Sequence, residues 1–488
     1  MIRLVTVLAL MAAALGPPLP TPVALGPPLP TPVSNRPNIV FVLVDDLSLN
    51  LVPYMPNVLK LHEDGTSFTN YTVTDSLCCP SRASILTGQY PHNTGIVKNH
   101  GSDGGFLLFR SRGEEKSTLA TDLRSAGYRT AFLGKYLNEY LPESGYVPPG
   151  WDEWMAGGNA YDNVNYTLNE NGTVKRYGSE PSDYLTDVLS AKAQDWIRTG
   201  SHEQGLIKST QVKPFFIEIS TYTPHLPYPP APRDAQSFPG LIAPRGDAYG
   251  KVPKNAPAWL APHSPLTAAQ IAHMDRGFRK RVQSIQSIDR MIGDLRATID
   301  RAGIAENTVI VFSSDNGYHM GEYRLNPGKQ TAFDVDVNVP LVVVGAGVRR
   351  GHVVDALVEN IDLRPTFADL AGVRPPAEVD GRSVRQLLGG LTPSQWRTGA
   401  LIEHSDPATD PADPDYQSES ENVPPSYTAL RTADVTWVEY VDGSREYYHR
   451  RTDPDQLLNL ADGLDPERVT ELHEQLHRLA TCAGPSCR

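Results

Sequence analysis

The sequence predicts an α/β protein: a mainly parallel central sheet flanked by helices, followed by a small C-terminal subdomain of antiparallel strands and one helix. Three observations carry this. Short apolar, β-branched runs alternate with stretches at helical spacing, the pattern of strand–helix–strand crossovers. Each of the main runs stops abruptly at polar residues. From residue 427 onward the pattern changes to short alternating segments with Asp442-Gly443 as a hairpin turn.

In chain order, residues 38–44 (N-I-V-F-V-L-V) form a continuous apolar run, as expected of a strand buried on both faces. It ends at Asp45-Asp46. Residues 117–126 read as a helix stopped by Gly127, and 129–133 as the next strand, ending at Gly134-Lys135. A third strand spans 215–220 and runs into T-Y-T-P-H, reaching His225. Val282, Ile285, Ile288, Met291, Ile292, Leu295 and Ile299 recur at helical spacing, and Gly303 closes that helix. Residues 308–312 form a strand that runs out at Ser313-Ser314-Asp315-Asn316-Gly317, and 341–344 form one more. The proline-dense stretch 224–257 reads as a surface segment walling a site. Strands at 427–432, 436–441 and 446–450 and a helix over 466–480 make the closing subdomain. In parallel sheets ligands bind beyond the carboxyl ends of the strands. Asp45-Asp46, Lys135, His225 and Asp315-Asn316 all sit at such ends, which predicts one site.

The 488 residues suit one large α/β domain with a smaller one attached, or three modest domains. A formal net charge of -12 argues against a general nucleic-acid or anionic-membrane binder, while leaving room for a few local cations around an anionic substrate. Residues 1–14 carry Arg3, an apolar run over 4–11 and three alanines, the pattern of a signal peptide too short to span a bilayer. The sequence A-L-G-P-P-L-P-T-P-V at 14–23 repeats at 24–33, making 15–36 an extended proline-rich linker. The catalytic domain is then expected over 37–400 and the subdomain over 401–488. Export, to the medium or the cell envelope, makes a disulfide between Cys482 and Cys487 plausible in C-A-G-P-S-C; a metal knuckle there would need two more ligands, and none cluster nearby.

The other two cysteines lie in 77–95, L-C-C-P-S-R-A-S-I-L-T-G-Q-Y-P-H-N-T-G. Pro80 suits the first turn of a helix, placing Cys78 just outside an N-terminus where dipole and N–H groups favour an anion. Arg82 adds a fixed positive charge. A cysteine so placed is a candidate nucleophile or metal neighbour. Asp45, Asp46, Asp315 and Asn316 are hard oxygen ligands, suited to calcium or magnesium rather than zinc.

C-x-P-S-R with x-x-x-L-T-G resembles the signature of the type I sulfatases, and with it the strand-end residues take on roles. The resemblance implies an alkaline-phosphatase-like fold and oxidation of Cys78 to formylglycine by a formylglycine-generating enzyme, Cys79 filling the variable place. It implies one divalent cation, usually calcium, shared by Asp45, Asp46, Asp315, Asn316 and residue 78. It also implies that Arg82 holds the formylglycine hydroxyls, Lys135 and Lys329 (in G-K-Q-T-A-F-D) grip sulfate oxygens, and His225 protonates the leaving alcohol. The aldehyde hydrate attacks sulfur, and its second hydroxyl then expels sulfate, an exit that a plain cysteine or serine lacks. Many members carry a histidine two residues after the first lysine; here Leu137 stands there, with Asn138 next. G-K-Y-L-N together with S-D-N-G-Y-H-M-G-E resembles the N-acetylglucosamine-6-sulfatase branch, in which His319 takes the missing role or, like Asn138, contacts substrate. The segments I-D-L-R-P-T-F-A-D-L-A-G (361–372), D-G-R-S (380–383) and D-P-D-Q-L-L-N-L near the end extend the resemblance over roughly 38–480. The substrate implied is a sulfated small molecule or glycan, with a sulfated amino sugar such as 6-O-sulfated N-acetylglucosamine foremost; the alternatives are an arylsulfatase of broad specificity or a phosphate or phosphonate ester hydrolase of the same superfamily.

Overall fold

The computed structural model describes residues 36–206, 213–406, 413, 415–416 and 423–488. The expected leader at 1–14, and all of the linker at 15–36 except its last residue, lie outside the described residues.

Alternation along one strand explains the layering. In Asn38–Val44 every residue is buried. Ile39, Phe41 and Leu43 join the hydrophobic core on one face, and Val40, Val42 and Val44 the core on the other. The second core is closed by the helix Ala268–Arg301, whose Phe278, Val282, Ile285, Ile288 and Ile292 face the sheet. That helix is longer than the apolar stripe suggests because Thr267 and Gln270 cap it reciprocally, well before the first stripe residue. The first core is closed by Leu119–Ser125 and Leu363–Leu370 through Leu123 and Phe367. Each such side chain contributes about 1.5–3 kcal/mol on burial; an aspartate at Val42 would bury an unpaired charge in the second core and destabilise it.

Among the described residues the main sheet has ten strands. From edge to edge they are His352–Val354, Thr66–Phe68, Leu341–Gly345, Thr308–Ser314, Asn38–Val44, Phe215–Ser220, Arg129–Lys135, Glu153–Gly157, Thr167–Glu170 and Thr173–Arg176. The block from Thr308–Ser314 to Glu153–Gly157 is parallel throughout. Leu341–Gly345 runs antiparallel to both neighbours, as do the two strands at the far edge to theirs. The fold is thus the mainly parallel, helix-flanked α/β architecture expected.

The closing subdomain contains four antiparallel strands, Ala400–His404, Tyr427–Arg431, Val435–Tyr440 and Arg445–His449. Its first strand is additional to the three read from sequence. Leu401, Leu430 and Trp437 pack under the helix Pro466–Ala480 with Leu472 and Leu476. The alternate residues Ile402, Ala429 and Val438 join the main core, so the small sheet is sandwiched between its helix and the large domain. Cys482 and Cys487 form the expected disulfide beneath it.

Candidate active site

Four adjacent parallel strands end at one edge of the sheet, and their last residues and the turns that follow meet there. Thr308–Ser314 delivers Asp315 and Asn316, Asn38–Val44 delivers Asp45 and Asp46, Phe215–Ser220 leads to His225, and Arg129–Lys135 ends in Lys135. All six side chains are buried. Two glycines let the backbones approach: a Cβ at Gly134 would meet the Ser220 carbonyl at 1.8 Å, and one at Gly317 the Val335 carbonyl at 2.1 Å. Asp46 has φ +59, a left-handed conformation that aspartate tolerates better than most residues; its N–H donates to Asp315 Oδ1 at 3.0 Å.

Over this edge lies the helix Cys78–Thr87, buried along its whole length. The Ser81 N–H donates to Leu77 O at 3.1 Å, closing the first turn, so Cys78 is the first helical residue rather than one outside the helix. Pro80 falls within that turn, where its missing N–H leaves nothing unpaired. The two cysteines part company. Cys79 belongs to the hydrophobic core. Cys78 Sγ faces the polar edge, 3.4 Å from Asp45 Oδ1, with Lys329 Nζ donating to it at 3.0 Å. Burial pushes the Cys78 thiol well above its usual pKa, and the carboxylates of Asp415 and Asp45 add to this. Burial is the largest of these causes and outweighs the opposing charges of Lys135 and Lys329, so the pocket disfavours the thiolate form of Cys78.

The cations are locked to carboxylates. Arg82 Nε donates to Asp315 Oδ2 at 2.8 Å, and its Nη1 to Lys135 O at 2.8 Å and Ser220 Oγ at 2.6 Å. Its Nη2 is buried without a hydrogen-bond partner, 3.7 Å from Asp45 Oδ1. Lys135 Nζ donates to Asp45 Oδ2 at 2.8 Å and Lys329 Nζ to Asp46 Oδ1 at 2.7 Å. Burial works to lower both lysine pKa values, yet both end well above the usual lysine value. Asp45 is the main opposing charge for Lys135, and Asp415 with Asp46 for Lys329. His225 Nδ1 lies 2.8 Å from the Leu226 carbonyl, which fixes the proton on that nitrogen, and Nε2 points into the site. Burial would lower its pKa, but Asp46, Asp415 and Asp45 raise it above the ordinary histidine value.

The donor set fits a hard divalent cation. Asp46 Oδ2 and Asn316 Oδ1 are buried without hydrogen-bond partners, an arrangement that a cation between them resolves. Ligand atoms of Asp45, Asp46, Cys78 and His225 all lie within 4.8 Å of one another. Asp315 is more engaged: Oδ1 accepts from the N–H groups of Asp46 and Asn316, and Oδ2 from Arg82.

Two expected residues are not among the contacts of Cys78. His319 Nδ1 pairs with Asp336 at 2.9 Å, and its Nε2 is buried without a hydrogen-bond partner. Asn138 is buried, with its Oδ1 likewise unpartnered. Leu137, at the place of the usual histidine, packs in the hydrophobic core. One residue was not foreseen at all: Asp415, from the connection between Ala400–His404 and Tyr427–Arg431, whose Oδ1 lies 2.9 Å from both His225 Nε2 and Lys329 Nζ. Its surroundings in sequence, D-P-A-D-P-D-Y, read as a solvated acidic loop, and no spacing signals otherwise.

Cys78, ringed by buried carboxylates, two lysines, an arginine and a histidine, sits in a pocket suited to an anionic ester. The model of the family described as Sulfatase matches residues 37–373, and that described as N-sulphoglucosamine sulphohydrolase, C-terminal, matches 321–481. The chain belongs to the sulfatase family and is a sulfuric ester hydrolase. It is 35% identical to human N-acetylglucosamine-6-sulfatase over 486 residues, covering 93% of this chain and 86% of that protein. Among solved structures, a protein in complex with its substrate D-glucosamine-2-N,6-O-disulfate superposes with TM-score 0.74 at 22% identity, covering 91% of this chain and 97% of that one. The phosphonate monoester hydrolase of Silicibacter pomeroyi superposes with TM-score 0.66 at 22% identity, covering 91% and 94%. These two show a shared fold.

Proposed function

We propose that the protein removes the sulfate of 6-O-sulfated N-acetylglucosamine, free or within a sulfated glycan, using formylglycine formed from Cys78 and a calcium ion, with magnesium the other hard cation the ligands admit. The observation that carries this reading is the position of Cys78 Sγ, 3.0 Å from Lys329 Nζ and 3.4 Å from Asp45 Oδ1 at the strand-end carboxylates. The substrate rests on the 35% identity to the human enzyme over nearly the whole chain.

Asp45, Asp46, Asp315 and Asn316 hold the ion, which when bound supplies positive charge to the sulfate and to residue 78. The aldehyde at residue 78 supplies, as its hydrate, a nucleophile with a second hydroxyl for sulfate release. The chain's own groups do the rest. The unpartnered Nη2 of Arg82 is a donor for the oxygens at residue 78. Lys135 and Lys329 neutralise sulfate oxygens as charge develops. His225, with Nδ1 tied to the backbone and its charged form favoured by three aspartates, gives the Nε2 proton to the leaving alcohol. Leu137 can accept no proton, so the second step draws on another base; His319, oriented by Asp336, presents Nε2 for that transfer or for substrate, and Asn138 presents its amide oxygen to substrate.

Maturation then needs a formylglycine-generating enzyme, and the disulfide Cys482–Cys487 supports export, to the medium or the cell envelope. Among the described residues no helix is long and apolar enough to cross a membrane. The working division is a catalytic domain over 37–400 and a subdomain over 401–488 that supplies Asp415. The test is anion release by protein co-produced with the generating enzyme, on 6-O-sulfated N-acetylglucosamine and on matched aryl sulfate, phosphate and phosphonate esters. Sulfate release that requires the cation supports the reading; faster turnover of the phosphate or phosphonate ester replaces it with that chemistry.

A further inference from the structure

Among the described residues, Asp415 is the one acid at the site delivered by the C-terminal subdomain rather than by a strand of the main sheet. Its carboxylate is buried. Oδ1 lies 2.9 Å from His225 Nε2 and 2.9 Å from Lys329 Nζ. Oδ2 accepts from Asn99 Nδ2 at 2.8 Å and stands 3.5 Å from Cys78 Sγ. Of these, Lys329 and His225 are the donors that the proposed reaction assigns to the ester's sulfate and to its bridging oxygen. The placement is braced locally. The Asp415 N–H donates to Asp413 Oδ1 at 2.8 Å, and Asp413 Oδ2 pairs with His100 Nδ1 at 2.9 Å. Consecutive residues Asn99 and His100 thus receive Asp415 and Asp413.

A carboxylate and a sulfate that need the same donors cannot both hold them, and at such separations like charges in a low-dielectric site repel strongly. Any anion entering must displace Asp415. A displaced, desolvated carboxylate then needs new hydrogen-bond donors. A bare anion offers none, whereas the hydroxyls and amide N–H of an amino sugar do.

We propose that Asp415 is a specificity-determining residue, whose carboxylate occupies the sulfate seat in the substrate-free protein and yields it to a sulfated sugar that donates a hydroxyl or N–H to it, but poorly to a bare anion. This rests on the reading of the site as a sulfate-ester site. It makes the protein resist inhibition by its own product, free sulfate.

The test compares wild type with Asp415→Asn, which keeps the shape and removes the charge. Inorganic sulfate binding is measured by calorimetry on the unmodified Cys78 protein, so that no turnover is needed. Sulfate inhibition and KM for 6-O-sulfated N-acetylglucosamine are measured on the mature enzyme. The variant is expected to bind sulfate about tenfold more tightly while its KM for the sugar ester rises about threefold or more. Asp413→Ala, which removes the acceptor that braces the Asp415 N–H but keeps the Asp415 carboxylate, is expected to shift sulfate affinity the same way by a smaller factor, and gives the answer if Asp415→Asn fails to fold. Unchanged or weaker sulfate binding in the variants overturns the proposal, as does a fall in KM parallel to the fall in the sulfate constant. Failure of the wild type to release sulfate from any ester counts instead against the sulfate-ester reading itself.

Discussion

The Lys329 ammonium lies 2.7 Å from Asp46 Oδ1, joining residues 283 positions apart in a buried ion pair. The same nitrogen is 3.0 Å from Cys78 Sγ, so one cation spans the carboxylates and the nucleophile position. Lys329→Met keeps the length and removes the charge, leaving Asp46 and Asp415 without it. In the presence of chelator, denaturant unfolding of this variant should show a loss of about 3–5 kcal/mol, and kcat/KM of the mature enzyme should fall at least about a hundredfold. Unchanged activity would remove Lys329 from the mechanism.

Asp46 Oδ2 and Asn316 Oδ1, both buried without hydrogen-bond partners, predict a metal-linked stability. Calcium at about 100 times its Kd should stabilise the protein by about 2.7 kcal/mol, read as an upward shift in Tm, and chelation should abolish sulfate release reversibly. Asp46→Ala should show neither the thermal shift nor activity. A full calcium response in that variant would place the ion elsewhere.

The role of His225 predicts a dependence on the leaving group. Because its Nε2 is the proton donor, His225→Ala should lose about a hundredfold to ten-thousandfold in kcat on a sugar sulfate. The loss should be much smaller on an aryl sulfate whose phenolate leaves unaided. Equal losses on both esters would make His225 a sulfate-binding group only.

His404 gives a stability prediction remote from catalysis. Its ring is fully buried beside Tyr427, centroids 5.2 Å apart, and burial pushes its pKa from 6.5 down to about 4. The folded state therefore binds this proton less readily than the unfolded state. The stability it contributes is fully present above pH 6.5 and is lost as pH falls through 4, with a magnitude on the order of 3 kcal/mol. His404→Phe, which keeps a ring against Tyr427 and cannot titrate, should lose correspondingly less stability between neutral pH and pH 4; identical acid slopes would contradict the assignment.

The parallel block and its site were legible because the same physics writes both. A strand buried on two faces must be apolar throughout, so the polar residues at its end mark where the chain leaves the core. That is how Asp45, Lys135, His225 and Asp315 announced one site. The outer strands carried no such mark: Thr173–Arg176 is exposed along its whole length, and edge pairing asks for little apolar character. What the sequence did not show at Cys78 is its surroundings: helix position and neighbouring charge are visible there, whereas the burial of all ten residues of its helix is not. Asp415 was invisible for a related reason. Its role depends on a tertiary contact with Asn99, 316 residues away, and nothing in its own acidic neighbourhood distinguishes it from a solvated loop.

The central claim is that residue 78 works as an aldehyde, and mass spectrometry of the tryptic peptide spanning residues 61–82 from natively produced, active protein tests it most directly. The account predicts the mass of formylglycine or its hydrate in place of the Cys78 thiol, with Cys79 unchanged. An intact thiol at Cys78 in protein that releases sulfate at full rate would contradict it.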